Sequence, residues 1–218
     1  MKGLLLKDLL LLKNQKRSLL VSAVMVLFFT FLNKNRASAF GVMFLSLILI
    51  TYALGSINYD DDSNGNSFLN TLPFSRKEYV QEKFLLSILL SLTAGLISSL
   101  LLGVQALLSP ASDLELWATV LTGFLMCLIM ASIGIPLRIR FGGEQGRLVN
   151  SVVLVVLYAA MLVAFGVVKD SSSNILKVSL YSFFSNTVSI IIAVVILTVL
   201  IMIVSYIITI RINERREF

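Results

Sequence analysis

Few residues of this 218-residue chain have the types and spacing that catalysis or ligand chemistry requires. Histidine is absent, which removes the commonest metal ligand and general base. The single cysteine, Cys127, lies in an apolar run, which indicates neither a disulfide framework nor a thiol metal site. The chain has no G-x-x-x-x-G-K-[ST] phosphate loop and no H-E-x-x-H motif. We therefore expect no catalytic residue, no metal site and no cofactor in this chain.

An acidic stretch from Asp60 to Gly65, D-D-D-S-N-G, copies the first half of an EF-hand calcium loop. The twelfth position of such a loop needs a bidentate acid, and here that position is Thr71, which cannot supply one. The Asn64-Gly65 pair is instead typical of a turn. We predict that this stretch does not bind calcium.

Ser75 and Glu78 form an S-x-x-E capping box shortly after Pro73. Proline discourages helix before it, while the serine hydroxyl and the glutamate carboxylate can each accept from the other residue's backbone N–H. The pattern predicts a helix start with about two polar turns, placed between two long apolar segments. Such a short, rigid, charged helix at the base of a membrane bundle is suited to passing force to a soluble partner.

The composition is that of an integral membrane protein. Mean hydropathy is +0.93, and 57% of residues are hydrophobic while only 14% are charged, which is too little charge for a water-soluble domain. A bilayer core of roughly 30 Å requires about 20 apolar residues per helix. Six segments qualify, although the first is short, and they predict an all-α polytopic membrane protein with six transmembrane helices: Ser18–Leu32, Phe40–Ile57, Phe84–Leu108, Leu116–Leu137, Leu148–Val168 and Val188–Ile210.

The whole chain, residues 1–218, is predicted to be one transmembrane domain. Residues 1–17 are expected to form an N-terminal interfacial helix, residues 18–210 the bundle, and residues 211–218 a tail. We predict that the first segment is retained rather than cleaved as a signal peptide. Lys7, Asp8 and Lys13 interrupt its leucines, and a small-residue cleavage site is missing.

Basic residues predict the orientation of the chain. Fourteen of the 18 Lys and Arg residues fall at the two termini and in the second and fourth loops, among them Lys83 and Arg138. The positive-inside rule places these regions in the cytoplasm. Both termini and the helix that starts at Ser75 are therefore expected to be cytoplasmic.

None of the six predicted spans contains an ionisable Asp, Glu, Lys or Arg. Proton-coupled pumps and intramembrane hydrolases carry ionisable groups or nucleophiles within the membrane. Because the predicted spans lack ionisable groups, we expect the energy for any transport to come from another chain. Gln105 and Asn150 could line a substrate path, but interhelical hydrogen bonds explain them equally well.

Small residues recur at every fourth position in two of the spans. Such ridges let helix backbones approach closely in lipid, either within one subunit or at a dimer seam. One ridge lies on the third span and consists of Ser91, Gly95, Ser99 and Gly103. The other lies on the fourth span and consists of Gly123, Cys127 and Ala131.

Three motifs together resemble the small permease subunits of ABC-2-type exporters. They are the opening M-K-G-L-L-L-K-D-L, the run L-P-F-S-R-K-E-Y-V-Q-E-K-F-L from Leu72 to Leu85, and R-F-G-G-E-Q-G-R from Arg140 to Arg147. The resemblance covers essentially the whole chain. It is nearest to half-size permeases that work with a separate ATPase, including those that export phenol-soluble modulins and related amphipathic peptides.

The resemblance implies short cytoplasmic coupling helices that contact an ABC ATPase. Its first contact would lie between spans two and three and its second between spans four and five. The residues carried over to the first contact are Ser75, Arg76, Lys77, Glu78 and Tyr79. Those carried over to the second are Gly142, Gly143, Glu144, Gln145, Gly146 and Arg147.

The expected function is that of the transmembrane subunit of an ATP-binding cassette exporter for hydrophobic or amphipathic peptides in a bacterial plasma membrane. The expected partners are a second permease copy, two copies of an ATPase subunit that holds ATP and magnesium, membrane lipids and the peptide substrate, but no nucleic acid. Two alternatives remain: export of a lipophilic drug or lipid, and a non-transport scaffold or sensor for an ATPase.

Overall fold

A computed structural model describes residues 2–31, 37–61, 75–108, 113–142, 145–146, 148–149, 151–152 and 187–214. These residues include six long helices, and no strand occurs in the ranges just given. The helices are α1 (Lys2–Asn14), α2 (Lys16–Phe31), α3 (Ala37–Asp61), α4 (Arg76–Leu108), α5 (Asp113–Phe141) and α6 (Thr187–Glu214). The all-α prediction is confirmed for this part of the chain.

Four of the helices are long and apolar enough to cross a membrane. Their candidate spans are Gly41–Asp60, Arg76–Ala106, Trp117–Phe141 and Ile192–Glu214. Helix α2 coincides with the first predicted span but has only 16 residues, and the fifth predicted span lies almost entirely outside the described residues. A multi-pass membrane protein is therefore supported, while the count of six spans stays a prediction.

Helix α5 lies at the centre of the described bundle and packs against α3, α4 and α6. Helix α2 packs on α3, and α1 packs against α3 and α4. The shared core is aliphatic and includes Ile50, Ile57, Val80, Leu86 and Ile135, all of them buried. Because α1 joins this core through Leu4, it is part of the packed fold. Its predicted position in the membrane interface remains untested.

Two glycines of α5 allow α3 to come close. A Cβ atom at Gly123 would lie 2.5 Å from Cγ1 of Val42, and one at Gly134 would lie 2.6 Å from Cδ1 of Leu54. Between these glycines, Cys127 is buried. The small-residue ridge predicted on the fourth span therefore forms the seam between α3 and α5.

The ridge predicted on the third span has a different environment. Ser91 is buried, and the half-buried Ser99 donates its hydroxyl hydrogen bond to a carbonyl of its own helix. A Cβ atom at Gly95 would lie 4.0 Å from the ring of Phe124, an ordinary contact. One at Gly103 would meet nothing within 4 Å in the described part of the chain. A packing role for this ridge stays a prediction.

Pro136 interrupts the backbone hydrogen bonds of α5, because proline has no N–H to donate to the carbonyl of Ser132 one turn earlier. Ser205 of α6 supplies the missing donor, since its buried hydroxyl donates to that carbonyl oxygen. Lipid offers no replacement donor in the hydrocarbon region. The bond therefore fastens α6 to the proline turn of α5.

Candidate functional site

The predicted capping box is present at the start of α4. The backbone N–H of Ser75 donates to Oε2 of Glu78 at 2.8 Å, and the Glu78 N–H donates to Oγ of Ser75 at 3.2 Å. The helix that begins here does not end after two turns, because α4 continues without a break for 33 residues. The expected short coupling helix is therefore not a separate element: it is the first two turns of the helix that contains the third span.

The residues predicted to contact an ATPase at this end do not all face outward. Ser75, Arg76 and Lys77 are exposed and Glu78 is half-exposed. Tyr79 is buried, and its hydroxyl donates to Oδ2 of Asp60 at 3.1 Å. The Tyr79 side chain therefore faces the bundle and joins α4 to α3, and its predicted contact with an ATPase stays a prediction.

Arg76 ties the start of α4 to the end of α6. Its Nη1 donates to the carbonyl oxygens of Asn213 and Glu214, at 3.2 and 3.0 Å, and Nδ2 of Asn213 donates back to the Arg76 carbonyl at 3.0 Å. The Lys77 ammonium lies 3.5 Å from Oε1 of Glu214. The last carbonyls of a helix lack intrahelical donors and carry partial negative charge, so cations bind there favourably. We call these four residues the α4–α6 clamp.

The second predicted ATPase contact begins where α5 ends. Gly142 adopts a φ of 81°, and its N–H donates to the Arg138 carbonyl at 3.0 Å, which ends the helix. Gly146 packs so close that a Cβ atom there would lie 2.8 Å from Cα of Arg138. Gln145 is exposed. The other three residues carried over to this contact lie outside the described residues: Gly143, Glu144 and Arg147.

Five charged side chains from three helices lie close together near the start of α4. We call them the buried charge cluster, which comprises Lys7 and Asp8 of α1, Asp60 of α3, and Glu82 and Lys83 of α4. The Asp8 side chain is 0% exposed, and those of Glu82 and Lys83 are each 1% exposed. Buried charges of this kind must be paired and hydrogen-bonded.

Lys83 is the centre of this cluster. Its Nζ lies 2.5 Å from Oδ2 of Asp8 and 2.8 Å from Oδ2 of Asp60, and it also donates to Oγ of Ser56 at 3.1 Å. An ammonium has three donors, and these partners use all three. Lys7 adds an ion pair to Asp60. The cluster thereby joins α1, α3 and α4 at one point.

The two neighbouring lysines favour the ionised form of Asp8. Burial alone would raise the pKa of its carboxyl. The nearby charge and hydrogen bond of Lys83, together with the charge of Lys7, outweigh burial and hold the pKa below its ordinary value. Removing one partner of such a buried pair leaves the other charge uncompensated, which costs about 3–5 kcal/mol.

The structure corrects one expectation drawn from the sequence. The positive-inside pattern assigns Lys83 and Arg138 to loops, but both side chains are buried within helices. Asp60, the first residue of the stretch that copies half an EF-hand loop, binds lysines, while residues 62–74 lie outside the described residues, and the absence of calcium binding stays a prediction. One sequence signal could have revealed the cluster: Asp8 stands in a leucine-rich helix, where a carboxylate needs a buried partner.

Only one of the two residues proposed for a substrate path lies among the described residues. Gln105 is half-buried on α4, and its Oε1 has no hydrogen-bond donor among the described residues. Asn150 lies outside them. In the described ranges no three His, Cys, Asp or Glu side chains are placed to hold a metal ion, and Cys127 is buried in the apolar core.

Comparison with known protein families agrees with a bundle of long apolar helices that has charged residues near one end. No curated protein matches the chain, and no solved structure does. Residues 3–214, nearly the whole chain, match the family described as ABC-2 family transporter protein. Members of this family are the membrane component of a transporter, and the family implies an ABC ATPase as partner. The chain belongs to the ABC-2 family of transporter proteins.

Proposed function

We propose that this chain is the transmembrane subunit of an exporter that moves hydrophobic or amphipathic peptides, of the phenol-soluble modulin or antimicrobial type, out of a bacterial cell. Two permease copies form a homodimer in the plasma membrane, with both termini in the cytoplasm. Each copy binds one ABC ATPase subunit at the capped start of α4. ATP and magnesium are held by the ATPase.

The observation that carries this proposal is the continuity of α4. Its 33 residues extend about 50 Å at 1.5 Å per residue, whereas the hydrocarbon core is roughly 30 Å thick. The polar first turns therefore extend beyond the apolar span while remaining part of the same rigid helix. A displacement applied at Ser75 to Glu78 would move the span directly, and through the α4–α6 clamp it would also move α6.

The choice of an apolar or amphipathic cargo rests on the surfaces of the described spans. Exposed side chains on α4 and α6 are mostly aliphatic, for example Leu92, Leu96, Leu100, Leu197 and Leu200. The ionisable side chains of the buried charge cluster lie near one end of α4, away from the rest of the span. A path bounded by such surfaces between two subunits suits hydrophobic cargo and suits sugars or ions poorly.

Reconstitution of the permease with its co-purifying ATPase tests this proposal. An amphipathic α-helical peptide should stimulate ATP hydrolysis and accumulate in inside-out vesicles, while the ATPase alone should show no peptide stimulation. Stimulation by a lipid or a lipophilic drug, but not by the peptide, would favour the alternative exporter. A scaffold or sensor would show neither stimulation nor accumulation.

Two substitutions at Glu78 test the contact with the ATPase. Glu78→Ala removes the charge and the carboxylate half of the capping box, whereas Glu78→Gln keeps a capping-box side chain and removes only the charge. Loss of the cap costs about 1 kcal/mol, so the permease should stay folded in both variants. We expect stimulated turnover to fall in both. Unchanged turnover in both variants would contradict a coupling role for Glu78.

A further inference from the structure

Glu82 is the least satisfied member of the buried charge cluster. Its side chain is buried, yet neither carboxyl oxygen has a hydrogen-bond partner in the described ranges. The ammonium of Lys83 lies 3.5 Å from Oε2, but it already donates to Asp8, Asp60 and Ser56. An ionised carboxylate in this position would be buried without a hydrogen bond, which is costly.

Asp8 presents the complementary feature. Its Oδ2 receives Lys83, but its Oδ1 has no hydrogen-bond partner among the described residues, although Lys7 lies 3.4 Å away. Asp8 and Glu82 lie beside the same ammonium, since Nζ of Lys83 is 2.5 Å from Oδ2 of Asp8 and 3.5 Å from Oε2 of Glu82. The two lysines favour the ionised form of Asp8, so a proton bound here belongs on Glu82.

The charge balance of the cluster leads to the same assignment. Two lysines face three carboxyl groups, and the hydroxyl of Tyr79 also points at Asp60. With every group ionised, a site removed from water would hold one uncompensated negative charge. Like charges that share such a site favour protonation of one carboxyl. A single proton makes the cluster neutral.

We propose that the buried charge cluster is a proton-binding site in which Glu82 carries one proton. With the proton bound, the cluster is neutral and α1 is held against α3 and α4. When the proton is lost, the excess negative charge weakens the attachment of α1, because Asp8 is the residue through which α1 reaches Lys83. This proton regulates the docking of a helix and does not drive transport. The proposal is independent of the cargo.

Infrared spectroscopy of the full chain in lipid nanodiscs tests the proposal directly. At neutral pH we expect the C=O stretching band of a buried protonated carboxylic acid. The band should disappear in Glu82→Gln. It should persist in Glu214→Gln, the same substitution at a carboxylate whose side chain is 47% exposed. Absence of a band assignable to Glu82 at neutral pH would overturn the proposal.

The pH dependence of thermal unfolding provides a second readout. A folded site that binds a proton more tightly than the unfolded chain loses stability as the pH rises. We expect the unfolding temperature of the wild type and of Glu214→Gln to fall by a few degrees as the pH rises from about 4.3, the ordinary pKa of a glutamate, through the pH at which the folded site releases its proton. Glu82→Gln carries no titratable proton there and should show a much flatter profile. Equal slopes in all three proteins would contradict a proton on Glu82.

The proposal stays testable if Glu82→Gln fails to assemble. Glu82→Met places a neutral, unbranched side chain of similar length in the site, whereas Glu82→Asp keeps a carboxyl group. Assembly of Glu82→Met supports a neutral group at this position. Assembly of Glu82→Asp alone, with no protonated carboxyl band, would mean that the site needs a charge and would overturn the proposal.

Discussion

Individual side chains of one type have very different environments in this protein, and lysine shows this best. Lys77 lies at the surface, where its side chain is 63% exposed and pairs with Glu214. Lys83, six positions later on the same helix, is 1% exposed and binds two carboxylates and a serine. Exposed ion pairs contribute little to stability, whereas removing one member of a buried pair is expensive. The burial of each charged side chain therefore decides how much it contributes to the stability of the fold.

The contrast between these lysines leads to a stability prediction. Lys83→Met should lower the free energy of unfolding by about 3–5 kcal/mol, because Asp8 and Asp60 would lose their shared cation. Lys77→Met should cost no more than about 1 kcal/mol. Thermal unfolding of the purified permease in detergent compares the two variants. Equal losses in both would contradict the buried role of Lys83.

Whether a contact between two residues can be predicted from the sequence depends on how far apart they are along the chain. Ser75 and Glu78 are three positions apart, so a local rule identifies their reciprocal hydrogen bonds. Asp8 and Lys83 are 75 positions apart, and no local pattern links them. The sequence marks Asp8 as unusual, but only the packing of α1 against α4 shows which cation it meets.

Among the helices, α4 shows that charged residues can shift the boundary predicted for a helix. Hydropathy places the start of the third span at Phe84, because Glu82 and Lys83 are charged. The structure continues the same helix back to Arg76, since the buried charges find partners on α1 and α3. The spans could be predicted from the length of the apolar segments. The helix ends could not, because they depend on tertiary contacts that a hydropathy profile does not detect.

The contact between α5 and α6 leads to a prediction about Pro136. Ser205→Ala should cost roughly 0.6–1.7 kcal/mol, because the Ser132 carbonyl then lacks its donor. In the background of Pro136→Ala the backbone N–H returns, so the same serine substitution should cost less. A double-mutant cycle on unfolding free energies measures this difference. Strict additivity would show that Ser205 does not compensate for the proline.

Helix packing leads to a second prediction at this scale. Gly123→Leu should destabilise the chain by at least about 1–3 kcal/mol through overpacking, because Val42 already lies within 2.5 Å of an added Cβ. Gly95→Leu should cost less, since the nearest described atom is 4.0 Å away. Thermal unfolding ranks the two variants.

Gly95→Leu also tests the predicted role of the α4 ridge. A ridge that forms a dimer seam predicts loss of the dimer in this variant on size-exclusion chromatography with light scattering, without a large loss of subunit stability. An unchanged oligomeric state would exclude the dimer seam, and unchanged thermal stability as well would exclude a packing role within the subunit.

For the molecule as a whole, composition was the most reliable guide. Mean hydropathy and the near absence of charge in the apolar segments indicated a membrane protein, and the family match over residues 3–214 agrees. Cargo and oligomeric state depend on surfaces between subunits, which one sequence does not describe. Orientation rests on the distribution of basic residues, and it can be measured independently.

Cysteine labelling tests the predicted orientation. The native Cys127 is buried, so the wild type should react little with a membrane-impermeant thiol reagent. Ser75→Cys and Gln145→Cys, both at exposed positions, should be labelled in inside-out vesicles but not in intact cells. Lys34→Cys, in a predicted outer loop, should show the opposite pattern. Labelling of Ser75→Cys from outside the cell would reverse the proposed topology.

The hydrogen bond from Ser205 to the Ser132 carbonyl has a consequence for biosynthesis. The two residues are 73 positions apart, so α5 leaves the ribosome long before its donor exists. Until α6 is synthesised, the Ser132 carbonyl must accept a hydrogen bond from water or from the insertion machinery, because lipid cannot supply a donor. A nascent chain that stops short of Ser205 should therefore hold α5 in a hydrated environment, and release into the bilayer should wait for the last helix.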